Sequence, residues 1–228
     1  MQIAIDGPAS AGKSTVAKII AQKLNFTYID TGAMYRASTW LAREHKLSYS
    51  DEKGILAAID KEKIELKSEN GQQKVFAGEE DISQDIRTPD ISAHVSQVSA
   101  LAGIRAKMVS LQRQMAGQMN VVMDGRDIGT TVLPEADVKI FLVASAHSRA
   151  QRRMLDFKER GIKTNQSLEE IEQDISERDY KDSHRKISPL KKAHDAIEID
   201  TTSMTIDQVV NAILSEIKKS QKNYKKRV

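Results

Sequence analysis

The chain has 228 residues, of which 39% are hydrophobic and 29% charged; 35 basic and 32 acidic side chains leave a net charge of +3, and there is no cysteine. A chain of this size can bury a sizeable core as one domain with insertions, and its composition is that of a folded, soluble protein rather than a disordered one. It excludes disulfides and thiolate metal sites, offers no apolar stretch long enough to span a bilayer, and lacks the basic excess expected of a nucleic-acid coat. The N-terminus enters its first strand with no signal peptide, and the absence of cysteine fits a reducing compartment, so the expected location is cytoplasmic.

Residues 2–5 form a short apolar run that reads as a buried strand. It leads into Asp6-Gly7-Pro8-Ala9-Ser10-Ala11-Gly12-Lys13-Ser14-Thr15, in which Gly7, Gly12, Lys13 and Ser14 fit the phosphate-binding pattern G-x-x-x-x-G-K-[ST]. The N–H groups of such a loop point inward at phosphate oxygens, backed by the positive end of the next helix. Lys13 would sit on the β- and γ-phosphates of a nucleoside triphosphate, and the Ser14 hydroxyl would help hold Mg²⁺. Val16, Ile20 and Leu24 recur at helical spacing, which supplies the helix that this motif requires.

Phe26–Ile29 reads as a second strand, followed by Asp30-Thr31-Gly32-Ala33-Met34-Tyr35-Arg36 and a helix from about Ala33 to His45, with Trp40 and Leu41 as packing residues. Lys63–Lys67 and Gln73–Ala77 flank Asn70-Gly71, a dipeptide favoured in tight hairpins, and Asp81-Ile82 could add a short strand. Residues 62–83 therefore read as an antiparallel insertion. Ile91, Val95 and Val98 mark one helix; Ile104, Met108, Leu111 and Met115 mark another, ending near Gly117. Strands are expected at Asn120–Met123 and Lys139–Val143, an arginine-dense helix over 146–160, a capping box at Ser167 and Glu170, a fifth core strand at Ala196–Ile199, and a last helix capped by Thr205 and Gln208. The basic tail Lys218–Arg227 reads as a solvated end.

Strands alternating with helices imply a parallel sheet covered on both faces, with its ligand site at the carboxyl ends of the strands. The polar motifs Asp6–Ser14, Asp30–Arg36, Asp124–Gly129 and Asp200–Ser203 fall at those ends. Arg36, Arg105, Arg126, Arg178 and Arg185 stand in polar contexts, often beside an aspartate. Phosphoryl transfer needs positive charge and a fixed acceptor more than covalent help, and the planar guanidinium suits it. Acceptors left open by the residues alone include UMP or a sugar acid. A nucleotide-dependent switch is a third possibility, although the N-K-x-D-type guanine motif of GTPases is absent.

The blocks Asp6–Ser14, Asp30–Arg36, Ser96-Gln97-Val98, Asp124-Gly125-Arg126-Asp127-Ile128-Gly129-Thr130 and Glu177-Arg178-Asp179 resemble the signature blocks of bacterial cytidylate kinases, and the likeness runs from Met1 to about Ile217. The resemblance implies an α/β, three-layer P-loop fold with a five-stranded parallel sheet, a small antiparallel sheet and a short lid. It implies a core of residues 1–35, 103–148 and 166–228, a monophosphate-binding region over 36–102, and a lid over 149–165. The implied activity is transfer of the γ-phosphoryl group of ATP to CMP or dCMP with Mg²⁺ by a cytoplasmic monomer, without nucleic-acid or membrane partners. Carried over by position, Gly7–Thr15 would hold ATP, with Arg149 or Arg153 against the adenine. Thr31, where the family often has serine, would meet the acceptor phosphate with Arg36 and Arg126. Ser96, Arg105 and Asp127 would read the cytosine; Arg178 and Asp182 would lie near the acceptor phosphate and ribose, with Arg185 on the phosphate path. Lys13, Arg126, Arg178 and Arg185 would be catalytic.

Overall fold

Strand β1, Gln2–Asp6, is the middle strand of the sheet and alternates cleanly. Ile3 and Ile5 point into one apolar cluster and Ala4 into the cluster on the opposite face, as the period of two requires. The computed structural model describes residues 1–69, 72–117 and 119–225. It places β1 among β2 (Thr27–Asp30), β6 (Val121–Gly125), β7 (Val138–Val143) and β8 (Ile197–Asp200) in the all-parallel order β2-β6-β1-β7-β8.

One face of this sheet is covered by α1 (Lys13–Leu24) and α8 (Ile206–Lys225). Val16 and Ile20 of α1 meet Val209, Val210, Ile213 and Ile217 of α8 in a single cluster with the strand residues. The other face packs under α5 (Ala102–Ala116) and a π turn at Ile128–Val132. This is the expected three-layer α/β core. The expected fifth core strand, β8, lies at the sheet edge instead, where Ile197 and Glu198 are exposed.

A second core belongs to the inserted region. It joins α2 (Thr31–Glu44), α3 (Glu52–Glu62), α4 (Pro89–Ala100), α5 and the three-stranded antiparallel sheet of β3 (Ile64–Glu69), β4 (Gln72–Ala77) and β5 (Glu80–Asp81). Trp40, Leu41 and Met108 are buried in it, as packing residues should be. The Asn70-Gly71 turn lies outside the described residues, while the register of the two strands around it, from Ile64↔Ala77 to Glu69↔Gln72, is that of a hairpin. Two differences from the sequence expectation stand out. Helix α2 begins at Thr31, because the Asp30 carboxylate accepts the Ala33 N–H at 2.9 Å and starts the helix at once. Helix α3 was not expected at all.

Helices α6 (Ala146–Glu159) and α7 (Leu168–His184) pair through Ala150, Phe157, Ile171 and Ile175 beside the main sheet. The capping box at Ser167 and Glu170 is present, and Thr205 and Gln208 bond reciprocally at the start of α8. Among the described residues no helix is long and apolar enough to cross a membrane.

Candidate active site

Parallel register brings the carboxyl ends of the strands together. Asp30 lies opposite Asp124, and Asp6 opposite Gly125. The phosphate-binding loop crosses this edge between β1 and α1. Gly7 sits at φ 148°, and a Cβ there would collide with the Leu142 carbonyl of β7; Gly12, at φ 87°, has open space around it and is needed for its backbone angle. Gly7→Ala is therefore expected to displace the loop and abolish triphosphate binding, whereas Gly12→Ala strains the loop without a clash; isothermal titration with a nonhydrolysable ATP analogue ranks the two.

The loop is braced from outside. The Asp179 carboxylate accepts the Ala9 N–H at 3.1 Å, Arg149 donates to the Ala9 carbonyl at 3.1 Å, and Arg149 and Asp179 are themselves paired. Arg149 also donates through Nε to the Ala144 carbonyl, so Nε and Nη1 of its buried guanidinium are both engaged with protein. Arg153, the other candidate for the adenine, instead lines the cavity.

That cavity, about 540 Å³, is walled by the loop from Ala9 to Val16 and by Arg36, Arg87, Arg126, Arg152, Arg153, Arg160 and Arg178. Seven arginines and Lys13 against four carboxylates on its wall make it a site for a polyanion. Lys13 is buried and donates to the Pro8 carbonyl at 2.6 Å. Burial, and then the Arg126 guanidinium, lower its pKa to about 7 against the pull of Asp124 and Asp6. Arg178 is driven down to about 9, first by burial and then by Arg126, with Asp182 opposing, and its Nε has no partner among the described residues. Cations held this close together without matching anions are poised for phosphate oxygens.

The residues expected on the acceptor side form a chain of ion pairs that meets the cavity wall at Arg126. Arg126 Nε donates to Asp182 at 3.1 Å, and Ser96 donates to the other oxygen of Asp182 at 3.1 Å. Burial works to raise the Asp182 pKa, but Arg126, Arg178 and Arg185 together hold it below the ordinary value. Asp127 is paired with Arg105 and, at 3.3 Å, with Arg185, not with its neighbour Arg126. Thr31 is buried and donates to the Asp124 carbonyl at 2.8 Å. Arg36 bonds the Asp30 carboxylate at 3.0 Å, and Arg87 approaches the same oxygen at 3.6 Å.

Several residues had no assigned role in the sequence reading. The Asp124 carboxylate accepts hydrogen bonds from Ser14 at 2.8 Å and Tyr28 at 2.7 Å; burial and the facing Asp30 raise its pKa, while Lys13, Tyr28 and Ser14 counter the rise. Arg152 clamps Thr201 through hydroxyl and carbonyl, fixing the 200–204 loop beside the cavity. Asp6 accepts the Ile128 and Gly129 N–H groups, each at 2.8 Å, and so ties the phosphate loop to the 126–129 segment. An acid at the carboxyl end of a strand was the available signal for Asp6, Asp30 and Asp124; nothing local marks Arg152 or Arg87.

Burial raises the Asp6 pKa to about 6 despite those two hydrogen bonds. The folded state thus holds the proton more tightly than the unfolded chain, whose aspartate titrates near 3.8. Its contribution to stability is full below about pH 4 and falls as pH rises to about 6, by roughly 3 kcal/mol. Urea unfolding of wild type and Asp6→Asn should show their stability difference shrinking or reversing over that window; a difference that does not move with pH overturns the assignment.

A family model described as cytidylate kinase matches residues 3–219. The chain belongs to the cytidylate kinase family. It is 65% identical over 223 residues to a cytidylate kinase of Lactobacillus johnsonii, covering 98% of this chain and 96% of that protein. It is 54% identical over 220 residues to a cytidylate kinase of Streptococcus gordonii, covering 96% and 97% respectively. A crystal structure of an uncharacterised protein from Eubacterium ventriosum shares the fold, at 13% identity with a TM-score of 0.50 over 96% of this chain and 98% of that one. The family makes the chain a nucleotide kinase, a phosphotransferase, and the arginine-walled cavity at the phosphate loop is its candidate active site.

Proposed function

We propose that this chain transfers the γ-phosphoryl group of ATP to the phosphate of CMP or dCMP. The observation that carries the base assignment is the buried Asp127 carboxylate, held by Arg105 and Arg185 and next in the chain to Arg126 of the cavity wall. ATP lies with its phosphates in the Gly7–Thr15 loop and Lys13 on the β- and γ-groups. Its base rests between Arg153 and the partly exposed apolar wall of Leu155, Met204 and Ile206. The acceptor phosphate faces Arg36, Arg126 and Arg178, near Thr31, with Asp182 toward the ribose and Arg185 beside the phosphate path.

The donor set suits Mg²⁺. Ser14 and Asp124 offer two hard oxygen ligands side by side, and Mg²⁺ commonly takes one or two protein ligands with the rest from phosphates and water. When bound, the ion neutralises charge on the transferring phosphates. The protein's own work is positional and electrostatic. An acceptor phosphate oxygen forms a bond to the γ-phosphorus as the bond to the β–γ bridging oxygen breaks, releasing ADP, while Lys13, Arg126 and Arg178 stabilise the charge that develops.

Water at the γ-phosphate would waste ATP, so residues 149–165 and 36–102 close over the bound pair. Limited proteolysis within 149–165 should slow when ATP and CMP analogues are present together; an unchanged rate removes the closure. The activity itself is tested by a panel of nucleoside monophosphates assayed for ADP release from ATP with Mg²⁺. CMP and dCMP should be turned over best, and a better rate with any other acceptor overturns the reading.

A further inference from the structure

Strands β2 and β6 run parallel, with Tyr28 opposite Val122 and Asp30 opposite Asp124. Side chains alternate along a strand, so Tyr28 and Asp124 project from the same face of the sheet, on a diagonal. That face is the one covered by α1. The Tyr28 ring lies against the apolar cluster under α1, and its hydroxyl donates to Asp124 Oδ1 at 2.7 Å. From α1 above, Ser14 donates to the other oxygen, Oδ2, at 2.8 Å. Lys18, one helical turn further along α1, stands over the Tyr28 ring with its ammonium 5.7 Å from the centroid.

Sheet pairing on both sides, and the Thr31 hydroxyl on its carbonyl, fix the main chain of Asp124 but not the turn of its carboxylate. The last torsion of an aspartate is broad and roughly twofold. One hydrogen bond leaves the group free to pivot about the bonded oxygen; a second, on the other oxygen, fixes its plane. Ser14 and Tyr28 are its two side-chain hydrogen-bond partners among the described residues. The Ser14 hydroxyl has one proton, and giving it to Asp124 leaves its lone pairs for a cation. The direction of those lone pairs follows the carboxylate that takes the proton. Packing alone does not call for a phenol here. A phenylalanine ring would fill the space between the apolar cluster and Lys18 with no polar atom to satisfy.

We infer that Tyr28 is a positioning residue of the metal site: by holding Oδ1 of Asp124 it keeps Oδ2 turned to Ser14 and the two hard oxygens side by side for the ion. The inference rests on the reading that Ser14 and Asp124 hold Mg²⁺. Removing a group that orients a metal ligand through a hydrogen bond typically costs about 10–100-fold in metal affinity or activity.

The test is titration calorimetry of a nonhydrolysable ATP analogue into wild type, Tyr28→Phe and Ser14→Ala, each with Mg²⁺ and with EDTA, beside thermal melting. The quantity read is the ratio of the two Kd values, the factor by which Mg²⁺ tightens the analogue. Tyr28→Phe should bring that ratio down toward unity, by about tenfold, and leave the Kd in EDTA within about twofold. It should also raise the Mg²⁺ concentration for half-maximal turnover of CMP by a similar factor. Because the phenol acts through Asp124, Tyr28→Phe should cost nothing further in an Asp124→Ala background. A wild-type ratio in folded Tyr28→Phe overturns the inference, as does a further loss in the double variant. Equal weakening with and without Mg²⁺ also overturns it, because the phenol would then support the loop rather than the metal site. If Asp124→Ala fails to fold, the single variant, which removes one oxygen, decides by the ratio. Ser14→Ala is the control: if it leaves the ratio unmoved, the Mg²⁺ assignment itself fails; if it lowers the ratio while Tyr28→Phe does not, only the positioning role is lost.

Discussion

Lys13→Ala is expected to lower kcat/KM by about 10²–10³-fold, the range seen when one preorganised charge or donor is removed from a transition state. Lys13 is the first residue of α1, and its ammonium reaches back to the Pro8 carbonyl across the loop it closes. Burial and Arg126 have already lowered its pKa to about 7, so the charge sits in a place that favours its loss until an anion arrives. In the proposed reaction triphosphate oxygens supply that anion, and the interaction strengthens as charge shifts toward the β–γ bridge during transfer. Alanine is the best helix former and removes a buried cation, so the fold should survive. Coupled assay of ADP release, beside a melting curve that shows a folded protein, checks both halves of the claim. Near-normal turnover in a folded variant would take Lys13 out of the catalytic set.

Much of this site could be read from sequence because its parts lie at strand ends. Residue types with a local reason to be there, such as Gly7 at the close approach to β7 and Asp30 at the start of α2, announce themselves within a few positions. Helix α3 did not, although Ile55, Ala58 and Ile59 have helical spacing and all three are buried. Gly54 stands within that stretch, and glycine is a poor helix former. In the structure it lies in the first turn, its N–H is capped by Asp51 at 3.0 Å, and a Cβ would press on that same carboxylate, so the glycine belongs to the helix start. The clamps that join distant segments were illegible for a different reason. Asp6 to Ile128 and Gly129, Arg149 to Ala9, and Arg152 to Thr201 span tens to more than a hundred residues, and no local spacing encodes them. The same holds for Asp127, whose sequence neighbour is Arg126: the fold gives Arg126 to Asp182 and brings Arg105 and Arg185 to Asp127.

Asp127→Asn is expected to collapse the preference for CMP over UMP. Cytosine offers an amino donor at N4 and an acceptor at N3, whereas uracil offers an acceptor at O4 and a donor at N3. A carboxylate only accepts and a guanidinium only donates, so in the proposed reading Asp127 and Arg105 match cytosine and oppose uracil at both positions. Asp127 retains capacity to do so, because each of its oxygens carries one arginine contact and has a second lone pair. An unpaired buried group costs about 1–3 kcal/mol, so two mismatches reject uracil by roughly hundreds-fold. Asparagine keeps the shape but presents an NH₂ that can serve O4, which should lower turnover of CMP, raise that of UMP, and bring the ratio within about tenfold of unity. Asp127→Ala is the harsher variant. It leaves Arg105, only 2% exposed, without its main counter-ion, at a cost on the order of 3–5 kcal/mol in stability, so its kinetics need a melting control. Steady-state kinetics with both monophosphates at saturating ATP decide the matter: equal loss on CMP and UMP in a folded Asp127→Asn protein would make Asp127 a support of the phosphate site, and the reading of the base would pass to other residues.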